Sequence, residues 1–143
     1  MFKKILVPTD GLFHSRKAAE YATKLAKLTN AEIVGIHVVP TSLTARTFAR
    51  DLSQLRSEYY ENGKAFLKQI EGICIRELVP VRTVLTEGLV SQEILRTAET
   101  ENVDIIVIGS RRKSSIERFV TGRVSDEIIR NSRCPVIVLN TPW

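Results

Sequence analysis

Residues 103–125 read VDIIVIGSRRKSSIERFVTGRVS. The run from Val103 to Ile108 is apolar and β-branched apart from Asp104, and it is too short for a helix, so it reads as a strand buried on both faces. It is the most apolar of five such runs in the chain. At Gly109 it gives way to a polar loop over 109–121, and residues 122–132 then have the pattern of a helix. Strand, turn and helix in that order form one repeat of an α/β grammar.

The same grammar recurs in both directions. Residues 5–8 form a short apolar run, and residues 15–28 place Ala18, Ala22, Leu25 and Ala26 on one helical stripe. Residues 31–39 (AEIVGIHVV) read as a second strand that breaks at Pro40. A long amphipathic stretch over 44–72 carries Phe48, Leu52, Leu55, Tyr59, Phe66, Ile70 and the adjoining Ile73 at helical spacing. Residues 81–86 read as a third strand, residues 90–101 as a helix with Ile94, Leu95 and Ala98 inward, and residues 135–139 as a fifth strand. Strands alternating with helices of this length predict a doubly wound, Rossmann-like parallel sheet with helices on both faces. The order 3-2-1-4-5 places a ligand crevice at the carboxyl ends of strands one and four, where the winding reverses. No repeat, linker or low-complexity tract interrupts the chain, so residues 1–143 form one domain.

The chain has 143 residues, of which 43% are hydrophobic and 26% charged, a composition that excludes a disordered protein. No apolar stretch approaches the roughly 18 residues needed to span a bilayer. Residues 1–9 lack the small-residue cleavage site of a secretion signal. Cys74 and Cys134 have neither metal-ligand nor redox spacing, which fits a reducing cytoplasm. The 21 basic and 16 acidic residues leave a formal charge of +5. Arg111, Arg112, Lys113, Arg118 and Arg123, against Glu117 alone, concentrate most of that excess in the segment after the fourth strand. The plain reading of such a segment is a solvated loop. Its only ring is Phe119, which leaves little for base stacking and argues against a nucleic-acid partner.

Two segments meet at the predicted crevice: Pro8, Thr9, Asp10 and Gly11 after strand one, and the basic loop after strand four. A carboxylate at Asp10 can accept from a ribose hydroxyl or an adenine amino group, or it can cap a turn, and position alone leaves both readings open. Gly109 permits close approach to a ligand, and the amides that open the helix at Gly122 attract an anion. Ser110, Ser114, Ser115 and Ser125 add hydroxyl donors. Neither a Walker loop nor a G-x-G-x-x-G motif occurs, which excludes conventional phosphate cradles. His14 and Ser15 are adjacent with no evident third partner, and His37 on an apolar strand reads as a core histidine. With no acid/base pair, metal cluster or activated nucleophile, catalysis is not expected.

KKILVPTDG at the start, HVV at the end of strand two, DIIVIGSR, and the closing TGRVSDEIIRNSRCPVIVL resemble the universal stress protein family over essentially the whole chain. The resemblance implies a homodimer paired through the edge from Val136 to Leu139. It also implies an ATP or AMP site built on a G-x-x-G-x(9)-G-[S/T] signature. Gly109 and Gly122 match that signature, whereas Arg112 and Arg123 stand at its second glycine and its final hydroxyl position. The family's adenine and ribose contacts map onto Thr9, Asp10 and the Val38 backbone, and Val124 and Ser125 match the residues that follow the signature. Pro8 and Arg111 flank these positions. The departures leave two readings. In one, arginine guanidinium groups hold phosphate in place of the missing groups. In the other, the chain is a dimeric interaction protein that binds no nucleotide.

Overall fold

The structure, a computed structural model, describes residues 2–41, 52–111 and 123–141. Phe48, Arg112 and Gly122 lie outside the described residues. The elements are β1 (Lys4–Pro8), α1 (Phe13–Thr29), β2 (Glu32–Pro40), α2 (Leu52–Arg76), β3 (Val81–Gly88), α3 (Val90–Thr100), β4 (Ile105–Arg111), α4 (Arg123–Asn131) and β5 (Val136–Thr141). They form one five-stranded sheet in the order β3-β2-β1-β4-β5 with every pairing parallel, as the strand–helix alternation predicts.

The pleat of each strand sorts its side chains into two cores. Ile5, Val7, Ile33, Ile105 and Val107 face one way and pack against Ala18, Ala22 and Ala26 of α1 and Ile70, Ile73 and Cys74 of α2. Leu6, Val34, Ile36, Ile106 and Ile108 face the other way, against Ile94 and Ala98 of α3 and Ile128 of α4. Side chains alternate across a strand with period two, so continuous apolar runs are what a sheet covered on both sides requires. The alanine stripe of α1 lets that helix lie close to the sheet. Helices change face between β1 and β4, which makes the carboxyl ends of those strands the crevice.

Among the boundaries that differ from the sequence reading, three have a clear tertiary reason. β4 begins at Ile105, because the Asp104 carboxylate instead accepts from the Lys3 and Lys4 amides at 2.7 and 2.9 Å and ties the two strand starts together. It continues to Arg111, because β5 extends to Thr141 and pairs Gly109, Ser110 and Arg111 with Leu139, Asn140 and Thr141. Those three residues therefore belong to the sheet and not to the loop. Cys74 sits inside the core beside the Thr23 hydroxyl, and burial pushes its thiol pKa up.

Candidate functional site: a cleft at the ends of β1 and β4

A cleft of about 620 Å³ opens where the winding reverses, within the range of about 300–1,000 Å³ typical of small-molecule sites. Pro8, Thr9 and Asp10 form its floor, β2 and α2 one wall, and Gly109, Ser110 and the start of α4 the other. Pro8 and Thr9 are buried, and the Thr9 amide donates to the Ile36 carbonyl at 2.9 Å, continuing the β1–β2 ladder past its last strand pair.

Asp10 is where the two sequence readings combine. Its Oδ1 accepts from the Leu12 amide at 2.9 Å, an Asx turn that leads into α1, and from the Ser15 hydroxyl at 2.8 Å. Its Oδ2 lies 3.0 Å from His14 Nε2. The side chain is nevertheless half exposed and lines the cleft. Desolvation pushes the carboxyl pKa up, but hydrogen bonds from His14, Leu12 and Ser15 outweigh it and lower the pKa from 3.8 to about 2. Asp10 therefore presents a fixed anion to the cleft. Gly11 permits the tight turn: its φ is +82°, and a Cβ there would stand 2.4 Å from the Phe66 ring.

The β2 wall is partly bare backbone. β1 pairs with β2 as far as Pro8 and Ile36, whereas β2 stays paired to β3 as far as Pro40 and Gly88. From His37 to Pro40, β2 therefore has a strand neighbour on one side only, and Val38 lines the cleft within that stretch. His37 Nδ1 lies 2.7 Å from the Thr9 carbonyl, which can only accept, so Nδ1 carries the proton. Its ring meets Phe66 edge-on at 5.2 Å. It is a satisfied histidine, as read from the sequence, but it stands in the cleft wall.

On the opposite side Ser125 is buried in the first turn of α4, next to the half-buried Val124. The Arg123 side chain is 93% exposed and reaches Glu127 at 3.6 Å, so it stands at the rim without filling the cleft. Glu127 also accepts from the buried Ser91 hydroxyl, which fixes α4 against α3. Arg111 enters through its backbone position at the end of β4. Gly109 has a structural reason of its own, because a Cβ there would stand 2.2 Å from the His14 carbonyl oxygen. Close packing of α1 on β4 demands glycine whatever ligand is bound. Among the described residues no cluster of His, Cys, Asp or Glu has the geometry of a metal site.

The structure adds cleft residues that the sequence did not single out as a site: His14 and Ser15 at the start of α1, and Tyr59, Asn62 and Phe66 on α2. The spacing of Tyr59 and Phe66 identified a helical stripe, but that signal does not tell a core face from a cleft face. Asp10 is the third partner that His14 and Ser15 lacked, since a bend in the chain brings the three together.

The universal stress protein family matches residues 1–140. Universal stress protein MJ0531 of Methanocaldococcus jannaschii is 36% identical, over 99% of this chain and 84% of its own length. The solved structure of protein MJ0577, from the same organism, superposes with a TM-score of 0.85 at 27% identity, covering 99% of this chain and 97% of that one. The Archaeoglobus fulgidus universal stress protein, solved in complex with dAMP, superposes with a TM-score of 0.73 at 22% identity, covering 96% and 97% of the two chains.

Proposed function

The chain belongs to the universal stress protein family, and from that premise we propose that it binds an adenine mononucleotide, ATP or AMP, in the cleft between β1 and β4. The observation that carries this reading is Asp10: a carboxylate held ionised by three donors, half exposed, on the floor of a cleft of nucleotide size. In this reading Asp10 accepts from the ribose, and the open backbone of β2 around Val38 meets the adenine edge. Ser125 and the first turn of α4 face the phosphates, with Arg123 and the arginines after β4 supplying charge. That a universal stress protein of the same fold holds dAMP supports the adenine assignment.

The protein acts in this reading by binding and not by turnover. The Ser15 hydroxyl donates to the Asp10 carboxylate and not to His14, and a carboxyl pKa of about 2 makes Asp10 a weak base for activating it. The free cysteines suit a reducing cytoplasm, and among the described residues no helix is long and apolar enough to cross a membrane.

Titration of the purified protein with ATP, AMP and inorganic polyphosphate tests the proposal. ATP or AMP is expected to bind, polyphosphate to bind far more weakly, and Asp10→Ala to remove most nucleotide affinity. Binding that ignores the base and survives Asp10→Ala would sink it. The second reading, a dimeric interaction protein without nucleotide, keeps its motive in Arg112 and Arg123. If ATP affinity appears only in the Arg112→Gly/Arg123→Ser double variant, that reading stands. The outward position of Arg123 favours the first.

A further inference from the structure

His14 contacts the proposed ligand-binding group without being part of the family signature. Three donors from one short segment converge on the Asp10 carboxylate, and they are divided unevenly. Leu12 and Ser15 both engage Oδ1, and His14 Nε2 engages Oδ2. The two contacts on Oδ1 hold the carboxylate through one oxygen only, and the His14 contact is the one that holds Oδ2 directly against rotation of the carboxylate plane. A carboxylate oxygen has two lone-pair sites, so the His14 contact leaves Oδ2 able to accept a second donor. The histidine is itself firmly seated. Its carbonyl packs where a Gly109 Cβ would stand, and its side chain is only 11% exposed.

A purely packing role does not account for this residue. Among the described residues His14 Nδ1 is buried with no hydrogen-bond partner. A buried polar atom left unmet is costly, and a leucine would fill the same space without that cost. The gain that offsets it lies at Nε2, on Asp10.

We propose that His14 is the positioning residue of this site: it aims the free lone pair of Asp10 Oδ2 into the cleft, and so sets the preference for a ligand sugar that carries ring hydroxyls over one that lacks them. The inference rests on the adenine-nucleotide reading above and names the device within that site that discriminates sugars.

Three substitutions separate positioning from packing. His14→Gln carries an amide N–H at about the place of Nε2 and should keep the contact. His14→Asn puts its amide near the place of Nδ1 and should lose it. His14→Leu fills the space and donates nothing. Each is titrated with AMP and with 2′,3′-dideoxy-AMP, and the Asp10 carboxyl is titrated without ligand by carbon-detected NMR. The wild type should favour AMP by about tenfold or more, with the glutamine variant close behind. The asparagine and leucine variants should fall to within about twofold of parity, and their Asp10 midpoint should rise from about 2 towards 3.8. Two non-donating variants guard against one of them failing to fold.

If the wild type shows no affinity for AMP, the nucleotide reading falls and takes the sugar preference with it. If the wild type discriminates but the asparagine and leucine variants keep both the preference and the low Asp10 midpoint, the role of His14 is overturned and the nucleotide reading survives.

Discussion

The Asp10 carboxylate closes a turn, anchors Ser15 and His14, and still faces the cleft with half its surface. Its lowered pKa makes a pH prediction with a definite sign. The folded carboxyl titrates near about 2, against 3.8 ordinarily, so between those values the unfolded chain binds more protons. The contribution of Asp10 to stability is therefore present above about pH 4 and fades as the pH falls through about 2. Its exposure to solvent keeps that contribution small. In urea titrations the stability difference between the wild type and Asp10→Asn should shrink steadily over that fall in pH, and a constant difference would show that the contacts to Asp10 do not depend on its charge. Gly109 makes a second residue-scale prediction. In Gly109→Ala the new methyl meets the His14 backbone, which cannot rotate away, so the cost should lie at the upper end of the roughly 1–3 kcal/mol usual for overpacking. Gly72 provides the contrast: it lies within α2 with nothing within 4 Å of the place a methyl group would take, so Gly72→Ala should stabilise by about 0.5–1 kcal/mol. Urea midpoints of the two variants should move in opposite directions.

Among the elements, β5 and α2 show how far a periodic pattern can be read. β5 was legible as a strand from its β-branched run, and the sheet order makes it an edge. Val136, Ile137, Val138 and Leu139 are all only partly buried, with Val136 and Val138 packed on one core and Ile137 and Leu139 on the other. An apolar edge strand with open backbone groups calls for a cover, and pairing with a second copy would supply one. Sedimentation equilibrium should give the mass of a dimer for the wild type and of a monomer for Val138→Lys. A monomeric wild type would mean that this edge is protected in another way. In α2 the apolar stripe predicted a helix, but it merged two surfaces. Ile70 and Ile73 enter the core, while Tyr59 and Phe66 on the same helix line the cleft. Hydrophobic spacing records which side of a helix turns away from water, and a ligand cleft and a core satisfy that pattern equally well.

At the scale of the whole molecule, the two cores and the cleft have one cause. The winding that puts α1 and α2 on one face and α3 and α4 on the other leaves the ends of β1 and β4 uncovered between them. A ligand bound there touches the floor, the β2 wall and the start of α4 together, so its binding energy adds to the stability of the entire fold. A nucleotide at a hundred times its dissociation constant should stabilise the protein by about 2.7 kcal/mol. For a domain of this size that is a rise in melting temperature of about 5–10 °C. A thermal melt with AMP should show that rise and one with inorganic phosphate should not; equal shifts with both would assign the effect to the anion alone.

The fold was open to reading from the chain because every cue it needs is local. Five β-branched runs, helical stripes between them and a turn after each strand leave few right-handed topologies, and the observed 3-2-1-4-5 order is one of them. Asp10, Gly109 and Ser125 were legible beside the crevice from the order of the elements, whereas Val38 was legible only through the family resemblance. What the chain could not disclose were relations between side chains brought together in space. The donors gathered on Asp10, the seating of the Gly109 backbone against His14, and the turn of Tyr59 and Phe66 towards the cleft each depend on distances of a few ångströms across elements. Periodicity carries the direction of burial along one element and is silent about what stands opposite. That information arises only when the helices settle onto the sheet, and it is there that a turn-capping aspartate becomes an oriented anion facing the cleft.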